Sequence, residues 1–201
     1  MSAAVKRNRA RVFLILTLFA IAVAISFLWP KPDVVYQGKP ISEWLKHLET
    51  DSLRAKSEAV EVLMRADATV APALLEGLHR RESGLYRAAW ARLPKFVQRR
   101  LTPPADYALL NHRCALVLGY IEPASVETVR GLRWALATDD ETLTVFAAQA
   151  LRMIAERESG ESAELRKTLP DLRRVLGTSK EPNHAEQVTR AVASIERLGN
   201  F

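Results

Sequence analysis

Ala147-Ala-Gln-Ala-Leu-Arg-Met-Ile154 decides the fold of this chain, because its pattern returns three more times. Ala59-Val-Glu-Val-Leu-Met-Arg-Ala66, Cys114-Ala-Leu-Val-Leu-Gly-Tyr-Ile121 and Ala191-Val-Ala-Ser-Ile-Glu-Arg-Leu198 align with it without gaps. In each, small residues precede a large aliphatic residue at the fifth position, and an apolar residue closes the eighth. Recurrence at three and four residues places these side chains on one helical face. The small residues let a neighbouring helix approach closely, and the aliphatic one fills the space between layers. One such helix cannot bury its face alone; stacked helices can.

The first three segments are each followed by a second amphipathic stretch. These are Val70-Ala-Pro-Ala-Leu-Leu-Glu-Gly-Leu78, Ser125-Val-Glu-Thr-Val-Arg-Gly-Leu-Arg-Trp-Ala-Leu136 and Leu165-Arg-Lys-Thr-Leu-Pro-Asp-Leu-Arg-Arg-Val-Leu176. No stretch shows the sustained alternation of a half-buried strand, so the chain reads as all-α. Helices are predicted at about 42–49, 52–65, 69–81, 83–91, 106–120, 125–137, 141–157, 162–176 and 184–198. The aligned segments begin at residues 59, 114, 147 and 191, which gives irregular spacings of 55, 33 and 44. Helix-turn-helix units in tandem imply an armadillo, HEAT or tetratricopeptide type of stack. The tetratricopeptide pattern wants a Trp and a Gly-Tyr pair early in its first helix, and these are missing.

Several residues resemble HEAT repeats. They are the Ala-Ala-x-Ala-Leu core of Ala147 to Leu151, Leu118-Gly119-x-Ile121, the Pro-x-Leu of Pro72 to Leu74 and of Pro170 to Leu172, and the acidic Thr138-Asp139-Asp140 turn. The resemblance covers about residues 51–201. It implies a short HEAT-like α-α superhelix, a right-handed, armadillo-like solenoid. The chain departs from the pattern in its spacing, in a last unit that has only its first helix, and before the Ala pair. There the usual Val-Arg reads Leu53-Arg54 in the first unit and Leu143-Thr144 in the third. The lead-in Tyr36-Gln-Gly-Lys-Pro-Ile-Ser-Glu-Trp-Leu45 resembles that of exported HEAT proteins of planctomycete and verrucomicrobial bacteria, which implies a bacterial envelope.

The N-terminus carries a different signal. Val12 to Trp29 reads VFLILTLFAIAVAISFLW, uncharged, with Thr17 and Ser26 as its polar interruptions. As a helix it spans roughly 27 Å, close to the ~30 Å hydrocarbon core of a bilayer. Lys6, Arg7, Arg9 and Arg11 precede it and Lys31 follows, so the positive-inside rule leaves residues 1–11 as a cytoplasmic basic stub. A signal-anchor helix over 12–29 is the expectation, with a single pass, a linker over 30–40, and residues 41–201 in the periplasm or outside the cell. Trp29 suits the interface, and Pro30 and Pro32 stop the helix. A cleaved signal peptide shares the basic start, but its small-residue site at Ala22-Val23-Ala24 would fall inside the apolar run.

The charge balance follows the same division. The chain has 29 basic and 23 acidic side chains, a net of +6. Five of the basic residues lie in 1–32 with no acid, which leaves 24 basic and 23 acidic residues in the rest. The exported part is therefore close to neutral, which argues against nucleic acid as a partner.

The longer first spacing leaves about 22 extra residues, an insertion at about 82–105. Between positions 80 and 100 lie Arg80, Arg81, Arg87, Arg92, Lys95, Arg99 and Arg100, with Glu82 the one acid. Tyr86, Trp90 and Phe96 are interleaved. Arg and aromatic residues are the types in which binding energy concentrates, so Arg81, Tyr86, Arg87, Trp90, Arg92, Lys95, Phe96, Arg99 and Arg100 form the candidate partner-binding surface. The competing structural reading packs the aromatics under the insertion as a satellite core, with the arginines along the solvated face.

Nothing points to catalysis. His47, His79, His112 and His184 are scattered without metal-ligand spacing, and no phosphate loop or Gly-x-Ser-x-Gly occurs. Asp139-Asp140-Glu141 is expected to cap a helix start. Ser42 is expected to cap a helix that buries Trp44, Leu45 and Leu48, and Cys114 to be a small buried hydrophobe. No enzyme activity, metal or cofactor is expected. The sequence implies a membrane-anchored scaffold that binds a protein partner. The alternatives are a HEAT-like lyase or enzyme accessory subunit binding a small ligand, and a structural envelope protein whose basic insertion meets anionic lipid or glycan.

Overall fold

The computed structural model describes residues 33–50, 52–81, 84–101, 104, 106–158 and 163–198. They are mostly helical, and from Val34 onward they belong to one compact unit, Val34–Phe201. The expected membrane helix over 12–29 lies outside the described residues. Among those described, no helix is long and apolar enough to cross a membrane.

The chain enters through a two-stranded antiparallel hairpin, β1 (Val35–Tyr36) and β2 (Lys39–Pro40). Gln37 and Gly38 both have positive φ, 50° and 77°, the feature of the type I′ turns that suit two-residue hairpins. The expected linker over 30–40 is thus folded where described. Tyr36 donates its hydroxyl to the Arg65 carbonyl at 3.0 Å, and its own carbonyl accepts from Trp44 Nε1 at 3.1 Å. Helix α1 (Ile41–Glu49) starts one residue ahead of the expected Ser42 cap, with Pro40 in the cap position. It buries Ile41, Trp44 and Leu48.

The aligned segments begin in α2 (Leu53–Met64), α6 (Ala108–Leu118), α8 (Glu141–Arg157) and α11 (Pro182–Arg197), and the first, second and fourth run past the end of their helix. These helices pack side by side in that order. Ala59, Cys114, Ala147 and Ala191 at the first position, and Leu63, Leu118, Leu151 and Ile195 at the fifth, are all 0% exposed. The four segments therefore occupy one structural register. A second layer holds α3 (Ala71–His79), α7 (Val126–Ala135), α9 (Ala163–Arg166) and α10 (Leu169–Thr178). In it α7 touches α3 on one side and α9 on the other, while Arg133 holds Asp171 of α10 at 2.7 Å. The layers meet through α3 with α6, α7 with α8 and α10 with α11, and α1 packs on α2, α3 and α6.

Close approach has identifiable causes. A Cβ on Gly119, at the end of α6, would stand 2.7 Å from the Ala150 backbone in α8. One on Gly77 in α3 would stand 2.8 Å from Cys114 Sγ. The expected single helix over 162–176 is broken at Lys167-Thr168, because Pro170 lacks the N–H that a helix interior uses and instead sits in the first turn of α10.

Arginines of one helix also finish the ends of others, where the last carbonyls lack partners. Arg113 in α6 donates to the Leu48 and Thr50 carbonyls at the end of α1. Arg157 in α8 donates to Gly119 and Tyr120 after α6, and Arg174 in α10 to Leu136 after α7.

Candidate functional site

The insertion forms α4 (Gly84–Arg92) and α5 (Lys95–Gln98), turned at Leu93-Pro94. Gln98 Nε2 closes this helical hairpin by donating to the Trp90 and Leu93 carbonyls, both at 2.9 Å. Neither helix contains a buried residue. Trp90 is half-buried, its ring 6.2 Å from that of Tyr86, whereas Leu85 is 83% and Phe96 70% exposed. A satellite core beneath the insertion is not what the side chains build. The apolar residues lie outward because the hairpin is too small to enclose them.

The ends of the insertion return to one place. Arg80, just after α3, lies with its guanidinium 5.1 Å from the ring centre of Tyr107, just before α6. The Asn111 side-chain nitrogen, facing them, reaches the Gly77 and Tyr107 carbonyls at 2.9 and 3.0 Å.

Between this junction and the ends of α7 and α8 runs a groove of about 300 Å³, lined by Arg80, Arg81, Arg87, Tyr107, Trp134, Asp140 and others. Arg81 lies over the Trp134 ring, 4.8 Å from its centre, and the His79 ring meets the same indole at a tilt, 4.3 Å between centres. Among the described residues no carboxylate lies within ion-pairing distance of Arg81, while Arg80 holds Glu49 at 3.0 Å. The groove's lining combines Arg80, Arg81 and Arg87 and the rings of Tyr107 and Trp134 with the carboxylates of Asp106 and Asp140.

Asp140 is structurally occupied. It caps α8 by accepting from the Leu143 N–H at 2.9 Å and meets His112 Nε2 at 2.8 Å, as expected for an acid at a helix start. Burial pushes its carboxyl up, but the Leu143 N–H and His112 outweigh this and hold it below the ordinary aspartate range. The next residue, Glu141, is held low by its hydrogen bond to His184, which reaches it at 3.1 Å. The two acids at the start of α8 are thus held by histidines from the helices packed beside it, His112 of α6 and His184 of α11. No group of acids, histidines and cysteine among the described residues could hold a metal ion.

Of the candidate residues, Arg81 and Arg87 line the groove, while Trp90, Arg92, Lys95, Phe96, Arg99 and Arg100 lie on the hairpin beyond it with Tyr86. Sequence reasoning missed Trp134, Tyr107 and Asn111. Trp134 stands beside Arg130 and Arg133 in α7, and an aromatic among arginines was the signal that could have marked it. No protein-family model, curated protein or solved structure matches this chain.

Proposed function

We propose that this chain is a membrane-anchored, HEAT-like helical-repeat scaffold, a right-handed armadillo-like superhelix without enzymatic activity. It holds a protein partner on the periplasmic or outer side of a bacterial inner membrane, with residues 12–29 as its span. The supporting observation is the contact of Arg81 with Trp134 at the groove. An arginine with no carboxylate in ion-pairing range among the described residues, resting on a half-buried indole, presents both a hydrogen-bonding fork and a flat apolar face. Such pairs anchor partners when a complementary acidic or aromatic side chain covers them. The partner segment that suits the groove is one that offers a carboxylate to Arg81.

The test is cross-linking followed by pull-down from membranes, with the anchor intact. A partner enriched over an anchor-only control, and lost with Arg81→Glu at unchanged helical content, is the expected result. A catch identical to the anchor-only control would refute the reading.

A further inference from the structure

We infer that the α4–α5 hairpin lies on an anionic phospholipid surface, with Leu85 and Phe96 at the acyl-chain boundary and Arg92, Lys95, Arg99 and Arg100 among the headgroups. The inference rests on the reading of residues 12–29 as a membrane span, after which only residues 30–34 precede β1.

Two independent features of the hairpin converge on a lipid surface. The first is charge. On the helical stack Arg65, Arg133, Arg152 and Arg173 each hold a carboxylate at 2.7–2.8 Å. On the hairpin, Arg92, Lys95, Arg99 and Arg100 have no carboxylate in ion-pairing range among the described residues. Four cations within nine positions, uncompensated by the fold, call for anions from elsewhere.

The second is apolar exposure. Leu85 is 83%, Phe96 70% and Leu101 47% exposed, on an element that buries none of its residues. A hydrated glycan or a nucleic acid would satisfy the cations and leave Leu85 and Phe96 in water. A phospholipid boundary takes both classes of side chain at once, as it does for interfacial amphipathic helices with basic polar faces. A large exposed Leu and Phe flanked by cations, on a protein whose chain leads directly from an apolar run of membrane length, fits that boundary better than it fits bulk water.

Cys114 is 0% exposed, which makes a single introduced cysteine selectively labelled in the folded protein. The experiment places an environment-sensitive fluorophore on the full chain at exposed Ala88→Cys, in α4, or at exposed Thr189→Cys, in α11, as the control. Each protein is reconstituted into vesicles of phosphatidylcholine alone or of phosphatidylcholine with phosphatidylglycerol. The expected result is a blue-shifted emission at position 88, quenched by lipid-borne nitroxides, in the anionic vesicles and not in the neutral ones, with no change at position 189. Reversing Lys95, Arg99 and Arg100 to Glu is expected to reduce that quenching more than about tenfold, and raising salt on the unaltered hairpin to weaken it. Equal signals at 88 and 189, equal signals in both lipids, or a signal at 88 indifferent to salt would overturn the inference. So would protection of position 88 in neutral vesicles by added membrane proteins, which would make the occupant a protein. Alkaline extraction reads the span separately. If the chain is extracted, the span reading fails, and the same labelled chain added to preformed vesicles still reports on the hairpin.

Discussion

At the scale of single residues, the stack is governed by what small side chains permit. Gly119→Ala drives a Cβ against the backbone of Ala150, which cannot swing aside, so a loss of about 1–3 kcal/mol is expected from urea unfolding. Gly131→Ala is the informative contrast. Its Cβ would meet Leu75 Cδ2, the far end of a half-buried side chain that can turn away, and the expected loss is under about 1 kcal/mol. Cys114, packed under Gly77 with burial pushing its thiol up, is expected to resist thiol reagents in the folded protein and to react on denaturation. Rapid modification under native conditions would mean that α3 and α6 separate. The core positions were legible in the sequence because the first and fifth residues of the repeated segment are fixed by volume, and volume is written in residue type. Trp134 was not legible as a site residue. Its neighbours are His79, the last residue of α3, and Arg81 just beyond it, and only the packing of α3 on α7 brings them to it.

Among elements, the start of α8 carries the most chemistry. The carboxyls of Asp140 and Glu141 are both held below their ordinary values, so their folded forms bind protons less readily than the unfolded chain does. The stability this confers is fully present above the ordinary carboxylate range and is lost as pH falls through the lower folded values. Unfolding followed from pH 7 to about pH 3 should show a decline in acid that Asp140→Asn makes shallower. Asp140→Ala also removes the cap on Leu143 and should lower stability by about 0.5–2 kcal/mol at neutral pH. Helix bounds were readable where caps are strong. Residues 141–157 coincide with α8 because Asp140 announces its start. They were misread where a local rule was passed over, as at Pro170, which can open a helix but not continue one.

For the molecule as a whole, the insertion is separable from the stack. It departs after α3 and returns at α6 through residues that touch one another, Arg80 and Tyr107, and its described residues contribute no buried side chain. Replacing residues 82–105 by a short Gly/Ser linker is therefore expected to leave far-UV dichroism of the remaining helices intact and to shift Tm by no more than about 4 °C, roughly 1 kcal/mol for a protein of this size. A collapse of Tm would restore the satellite-core reading. The position and charge of the insertion were legible from the uneven repeat spacing, whereas its failure to bury anything was not, since Tyr86, Trp90 and Phe96 have the composition of a small core. The arginine-to-carbonyl bonds carry one more consequence. Arg113, Arg157 and Arg174 each reach back to a helix that precedes them in the chain, so a helix made early ends in open carbonyls until a later one arrives. Synthesis runs in the same direction, from the first helix to the last. Each such bond seals the end of a helix made earlier, so assembly can proceed vectorially, in the order of translation.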